Sequence, residues 1–245
     1  MTKRNWDRKK GHRLNDDLIR LRERLADVAS GHRMAAFGVA DLAGIRERHP
    51  GVFASLPDGF SRAVVMGYRL QDASLAGITD RPTPLYFHHY RQANFHLDRT
   101  ALAVADGLIE AGWEALAVPA SQVVSRDPMR GMVSHRVLGY EAGLGWIGRS
   151  TLLVNPRYGA RLRYVSVLTD APIPADRPGT GGCGSCRACA RACPAGAIGE
   201  ASRDYRLDLC YAKLTEFTKI PFVGQHICGV CVKSCRPGEG STWEP

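Results

Sequence analysis

The chain has 245 residues, 44% apolar and 23% charged, with a formal net charge of +9. That length can bury a real core, and the balance of apolar and charged residues excludes intrinsic disorder. No apolar run reaches the length of a membrane span, and no hydrophobic segment follows the basic N-terminus. No membrane segment or secretory leader is therefore expected, and the expected address is cytoplasmic.

In chain order, Asn15 is placed to cap a helix with Leu18, Leu21, Leu25 and Val28 as its apolar stripe. Residues 34–42 and 62–68 read as buried strands. Residues 71–97, with Pro82, Pro84 and the histidines 88, 89 and 96, read as a polar loop lining a pocket. Asp98 is expected to cap a helix carrying Leu102, Ala105, Leu108 and Ile109, ended by Gly112. A strand at 114–119, a helix at 130–141 and a strand at 161–169 complete an alternating α/β pattern. Pro172, Pro174 and Pro178 then mark a composition break, beyond which every cysteine lies. The expected division is an α/β cofactor or substrate domain over 1–174 and a small cysteine domain over 175–245.

Gly143, Gly145 and Gly148 spell G-x-G-x-x-G. A dinucleotide site needs a strand before these glycines and a helix after them, and here the order is reversed. The nicotinamide reading fails for that reason.

The cysteines carry the strongest signal. Cys183, Cys186, Cys189 and Cys193, followed by Pro194, form C-x2-C-x2-C-x3-C-P, the bacterial ferredoxin run for [4Fe–4S] clusters. Cys210, Cys228, Cys231 and Cys235 supply the rest of a second set. In the crossed pattern, Cys183, Cys186, Cys189 and Cys235 hold one cluster, and Cys193, Cys210, Cys228 and Cys231 the other. A zinc ribbon on Cys183, Cys186, Cys228 and Cys231 would leave four thiols needing a second, unusual site. A disulfide scaffold does not suit a cytosolic chain of this size. The net charge is weak evidence for RNA, because thiolates around clusters lower it by roughly four units. The basic N-terminal run also reads equally well as a solvated tail.

The segments "AGLGWIGRSTLL", "FGVADL", "AVVMGY" and "AVPAS", with the cysteine runs, resemble epoxyqueuosine reductase and its short relatives. More distantly they resemble the catalytic and cluster region of reductive dehalogenases. The resemblance implies a nitroreductase-like α/β domain holding cobalamin, joined to a bacterial-ferredoxin-like domain with two [4Fe–4S] clusters. It also implies electrons from a low-potential donor of ferredoxin or flavodoxin type, and a reductive reaction on a small molecule or tRNA. The tRNA-modifying members carry further C-terminal sequence, whereas this chain ends ten residues after Cys235. Their proton-donating aspartate falls at Met129 by ungapped counting, two residues after Asp127, and a nearby glutamate at His135.

His135 and Asp127 are accordingly the candidate proton donors, each with a bland reading as a helix histidine or a turn residue. Gly143, Gly145, Trp146, Gly148, Tyr158, Arg161 and Arg163 are the candidate cofactor contacts. The glycines serve equally as a tight corner, and the two arginines as a strand's polar face. His226 is placed to tune a cluster through a hydrogen bond. Rival readings are a tRNA epoxyqueuosine reductase proper, a non-enzymatic electron carrier or corrinoid-reducing partner, and a flavin in place of cobalamin.

Overall fold

The computed structural model describes residues 3–53, 56–126, 129–238 and 241–244. Helix α1 (Lys3–Gly31) leads into strand β1 (Ala36–Asp41), the short α2 (Ile45–Arg48) and β2 (Arg62–Arg69). Then come α3 (Asp72–Ala76), the long α4 (Pro84–Glu110), β3 (Ala115–Val118) and a ribbon of β4 (Ser125–Arg126) with β5 (Met129–Arg130). Helix α5 (His135–Glu141) precedes the ribbon of β6 (Trp146–Ile147) with β7 (Leu153–Val154), and β8 (Leu162–Thr169) closes the main sheet. Beyond it lie β9 (Thr180–Gly182), α6 (Ala188–Ala192), α7 (Leu207–Phe217), α8 (Val230–Ser234) and β10 (Thr242–Glu244), which pairs with β9.

The main sheet runs β1-β2-β8-β3, and every pairing in it is antiparallel. Its central strands read as continuous apolar runs because both faces are covered. On one face Val39, Val64, Met66, Val165 and Val167 pack against Leu21 and Leu25 of α1 and Leu97, Val104 and Leu108 of α4. On the other, Ala63, Val65 and Leu168 pack against Ile45, Phe53 and Leu138. The two-residue alternation thus sorts each strand's side chains between two helical layers. Each fully buried leucine contributes about 1.5–3 kcal/mol, which holds α1 through its stripe.

Four expectations need correcting. Helix α1 begins at Lys3, so Asn15 lies within it rather than capping it. The expected loop over 71–97 is mostly helix. Thr83 accepts the Tyr86 N–H at 3.1 Å, Pro84 takes the first turn, and α4 continues unbroken through Asp98. The helix expected over 130–141 starts only at His135, because Met129 and Arg130 pair with Arg126 and Ser125. Leu102 and Ile109, expected on an apolar stripe, are exposed.

After β8 the chain stays on the α/β unit through 176. Ala171 and Ile173 are buried, and Asp176 accepts two bonds from Arg22 and one from the Val39 N–H. A third cluster joins Leu70, Leu75, Ile78 and Tyr86 to Val223, Ile227 and Val230, so the cysteine-bearing region is fastened to α3 and α4. Among the described residues no helix is long and apolar enough to cross a membrane.

Candidate functional site

The eight cysteines are all half-buried and none is in a disulfide. Cys235 interacts electrostatically with Cys189, Cys183 and Cys186, and Cys189 with Cys183 and Cys186. Cys228 interacts with Cys210 and Cys193, and Cys231 most strongly with Cys228 and Cys210. Cys231 also interacts with Cys189, ahead of Cys193, so the two groupings touch at Cys231. Burial pushes the Cys228 and Cys235 thiols up to about 11 and raises Cys231 and Cys210 as well. Buried sulfurs so placed take the thiolate form only when cationic metal compensates them. Among the described residues no three His, Cys, Asp or Glu side chains converge on a single metal ion. A single ion gathers its ligands on one centre, whereas a cubane takes one thiolate at each iron.

The Trp146 indole N–H reaches Cys183 Sγ at 3.5 Å, and the Tyr205 hydroxyl beside Cys210 opposes the rise that burial imposes on that thiol. His226, expected to tune a cluster, instead stacks on Tyr211 at 5.0 Å and meets Thr215 Oγ1 at 3.3 Å.

Between the sheet and the cysteines lies a cavity of about 510 Å³, within the usual range for ligand sites of about 300–1,000 Å³. Its wall combines His135, Arg163, Tyr90 and Tyr164 from the α/β unit with Tyr205, Cys210, Cys228 and Cys231 from the cysteine region. Leu70, Leu152, Leu153, Leu162, Leu214 and Ile227 make much of the surface apolar. Thr151 lines it with φ 59°, and Arg136 holds that strained residue by donating to both its carbonyl and its hydroxyl.

His135 is placed at this wall with both ring nitrogens engaged. Nδ1 lies 2.9 Å from Ser166 Oγ, and Nε2 lies 3.0 Å from the Pro119 carbonyl. A carbonyl only accepts, so Nε2 carries the proton and Nδ1 accepts from the serine. Burial pushes the imidazole down to about 4, the Pro119 carbonyl opposing and Arg163 assisting. His135 is therefore a neutral, oriented group near pH 7 rather than a stored imidazolium. Asp127 lies outside the described residues.

Arg163 reaches Asn94 Oδ1 and the Ala120 carbonyl and stands 4.5 Å over the Tyr90 ring. Tyr158 and Arg161, expected alongside it, instead line a separate basic cavity by Cys235. The glycines face protein rather than the large cavity. A Cβ on Gly143 would meet the Arg177 carbonyl at 2.7 Å, and one on Gly145 the Val154 carbonyl at 2.0 Å. On Gly148 it would meet Val154 Cγ2 at 2.7 Å and Cys183 Sγ at 3.3 Å. They form a corner from α5 into β6, and that order excludes a helix N-terminus aimed at a pyrophosphate. Two histidines of α4 serve structure: His89 accepts the Gln71 N–H at 3.1 Å, and His96 donates to the His32 carbonyl at 2.7 Å. Tyr205 and Ser166 went unnoticed in the sequence, because neither stands in a spacing motif.

The mixed α/β fold is similar to that of solved reductive dehalogenases and epoxyqueuosine reductases. A catabolic reductive dehalogenase in complex with 3-bromo-4-hydroxybenzoic acid superposes with TM-score 0.70 at 18% identity, covering 91% of this chain and 35% of that one. Epoxyqueuosine reductase from Bacillus subtilis gives TM-score 0.60 at 18% identity, over 91% and 66%. In sequence, epoxyqueuosine reductase of Listeria monocytogenes is 36% identical over 87 residues, 35% of this chain and 23% of that protein. The Escherichia coli enzyme is 43% identical over 68 residues, 28% and 18% of the two chains. The match thus spans less than a quarter of either relative's length. No family model matches the chain.

Proposed function

We propose that this protein is an iron–sulfur oxidoreductase of the epoxyqueuosine reductase type, with two [4Fe–4S] clusters in a ferredoxin-like region and a cobalamin in the large cavity. Cys183, Cys186, Cys189 and Cys235 are the ligands of one cluster, and Cys193, Cys210, Cys228 and Cys231 those of the other. The observation that carries this reading is the shared wall: Cys210, Cys228 and Cys231 border the same cavity as His135, Arg163 and Tyr90. A group seated there would lie against one cluster, with no protein layer between.

The residues present fit both groups. The two foursomes of sulfurs suit cubanes. The leucine-lined walls suit the faces of a broad macrocycle, and Arg163, Tyr90, Ser134 and Ser150 suit its amide-bearing edge. When bound, a reduced corrinoid supplies low-potential electrons to an organic substrate. The protein's part is to shape a largely apolar site and to orient donors. His135, fixed by Ser166 and Pro119, presents a neutral ring beside Arg163. Tyr86, Tyr164 and Tyr205 keep their phenolic protons because burial raises each one, so protonated hydroxyls line the wall.

The test is anaerobic reconstitution followed by addition of cob(II)alamin, with EPR and visible spectra and iron and cobalt counted per chain. About eight irons with a stoichiometric, spectrally altered cob(II)alamin would support the reading. The same iron without bound cobalamin would remove the corrinoid and turn attention to a flavin.

A further inference from the structure

A second, smaller cavity of about 150 Å³ lies beside Cys235, lined by Arg69, Arg157, Tyr158, Arg161 and Arg236. Four guanidiniums gather there around a single tyrosine ring. Arg157 stands 5.1 Å and Arg69 5.3 Å from the Tyr158 centroid. One carboxylate answers them: Asp72 takes bonds from both Arg69 and Arg161 at 2.6 Å. Arg161 Nε remains buried without a partner. Arg157 and Arg236 are exposed, and among the described residues no carboxylate pairs with either.

The position of this patch narrows what it serves. Cys235 interacts with Cys183, Cys186 and Cys189, and none of those four lines the large cavity. The patch therefore sits at the foursome remote from the substrate-sized space, where a substrate would gain nothing. An electron entering there has the second foursome, with Cys210, Cys228 and Cys231, between it and the cavity.

We infer that this arginine patch is the docking surface for an acidic, low-potential one-electron carrier protein, which delivers electrons at the Cys235 foursome. The inference rests on the iron–sulfur reading above. Each delivery moves one electron from the carrier's reduced centre to the cluster, oxidising the first and reducing the second, with no atom exchanged. A concentrated positive surface attracts an acidic partner chiefly through the association rate and loses that advantage in salt.

The experiment uses reconstituted protein, reduced plant-type ferredoxin as the acidic probe, and methyl viologen as a small donor that needs no docking. Arg157→Glu with Arg236→Glu is expected to slow ferredoxin-driven cluster bleaching about tenfold or more at low salt. Iron content and the viologen-driven rate should not fall, and high salt should erase the difference from wild type. Unchanged ferredoxin rates in that variant would overturn the inference. Loss of affinity for a tRNA stem-loop, with the ferredoxin rate intact, would assign the patch to RNA instead and overturn it equally. Wild-type protein that takes up no iron would overturn the iron–sulfur reading itself, a failure told apart by the metal count alone.

Discussion

Trp146 donates its indole N–H to Cys183 Sγ across 3.5 Å, and that contact links the glycine corner to the first cysteine run. In the other group the Tyr205 hydroxyl favours the Cys210 thiolate against burial. A donor on sulfur stabilises the more negative, reduced cluster. Taking a net hydrogen bond as about 0.5–1.5 kcal/mol, its loss lowers a one-electron potential by roughly 20–65 mV. Trp146→Phe should therefore lower the midpoint of one cluster and leave the other in place, and Tyr205→Phe should do the reverse. EPR-monitored titration separates the two; equal shifts in both clusters from either variant would contradict the assignment.

His135 should make stability depend on pH in a definite direction. Its folded-state pKa is pushed from 6.5 down to about 4, so between those values the unfolded chain binds a proton that the folded one refuses. The contribution is complete above about 6.5 and is lost as the pH falls toward 4. Urea midpoints at pH 7.5 and 5 should differ more for wild type than for His135→Asn. Removing the ring also strands the Ser166 hydroxyl and the Pro119 carbonyl, a cost of about 1–3 kcal/mol for each group left without a partner. A variant with the wild-type pH slope would show that another group is responsible.

The sheet was legible because strand pattern and burial agree: the runs at 34–42, 62–68, 114–119 and 161–169 all contain strands. Antiparallel pairing was not legible, since alternating helices and strands are compatible with either sense. The long α4 was hidden by Pro82 and Pro84, which read as breakers. Thr83 followed by proline is in fact a helix start, and the polar residues up to His96 divide between its outer face, with His88, Arg91 and Gln92, and its inner one, with His89 and Asn94. In the cysteine region the spacing alone suggested two sets of four, because the C-x2-C-x2-C-x3-C run and the later C-x2-C-x3-C run are both local signals. The wall joining His135 and Arg163 to Cys210 had no local signature, because residues far apart in sequence meet there only through folding.

The glycine corner should tolerate substitution unequally. At Gly145 φ is +151° and a Cβ would sit 2.0 Å from the Val154 carbonyl, so Gly145→Ala forces backbone apart. Gly148 has no such φ, and its nearest obstacles are the Val154 methyl and the Cys183 sulfur. Gly145→Ala is expected to cost several kcal/mol, on the order of backbone strain plus overpacking, and to yield little folded protein. Gly148→Ala should fold but take up less iron. Circular dichroism melts with iron counts distinguish these outcomes, and equal iron in both soluble variants would refute the link to Cys183.

Removing one cysteine from each foursome tests the crossed pairing directly. If Cys235 completes the set with Cys183, Cys186 and Cys189, Cys235→Ala should leave about four irons, held at the cavity side. Cys210→Ala should also leave about four, now at the foursome beside the arginine patch. The two variants differ in their spectra. The surviving cluster in Cys235→Ala retains the Tyr205 hydroxyl beside Cys210 and should respond to Tyr205→Phe, and the one in Cys210→Ala retains Trp146 and should respond to Trp146→Phe. Pairing by sequence order instead would put Cys193 with Cys183, Cys186 and Cys189. Cys193→Ala would then give the spectrum of Cys189→Ala, whereas the crossed arrangement requires it to match Cys210→Ala.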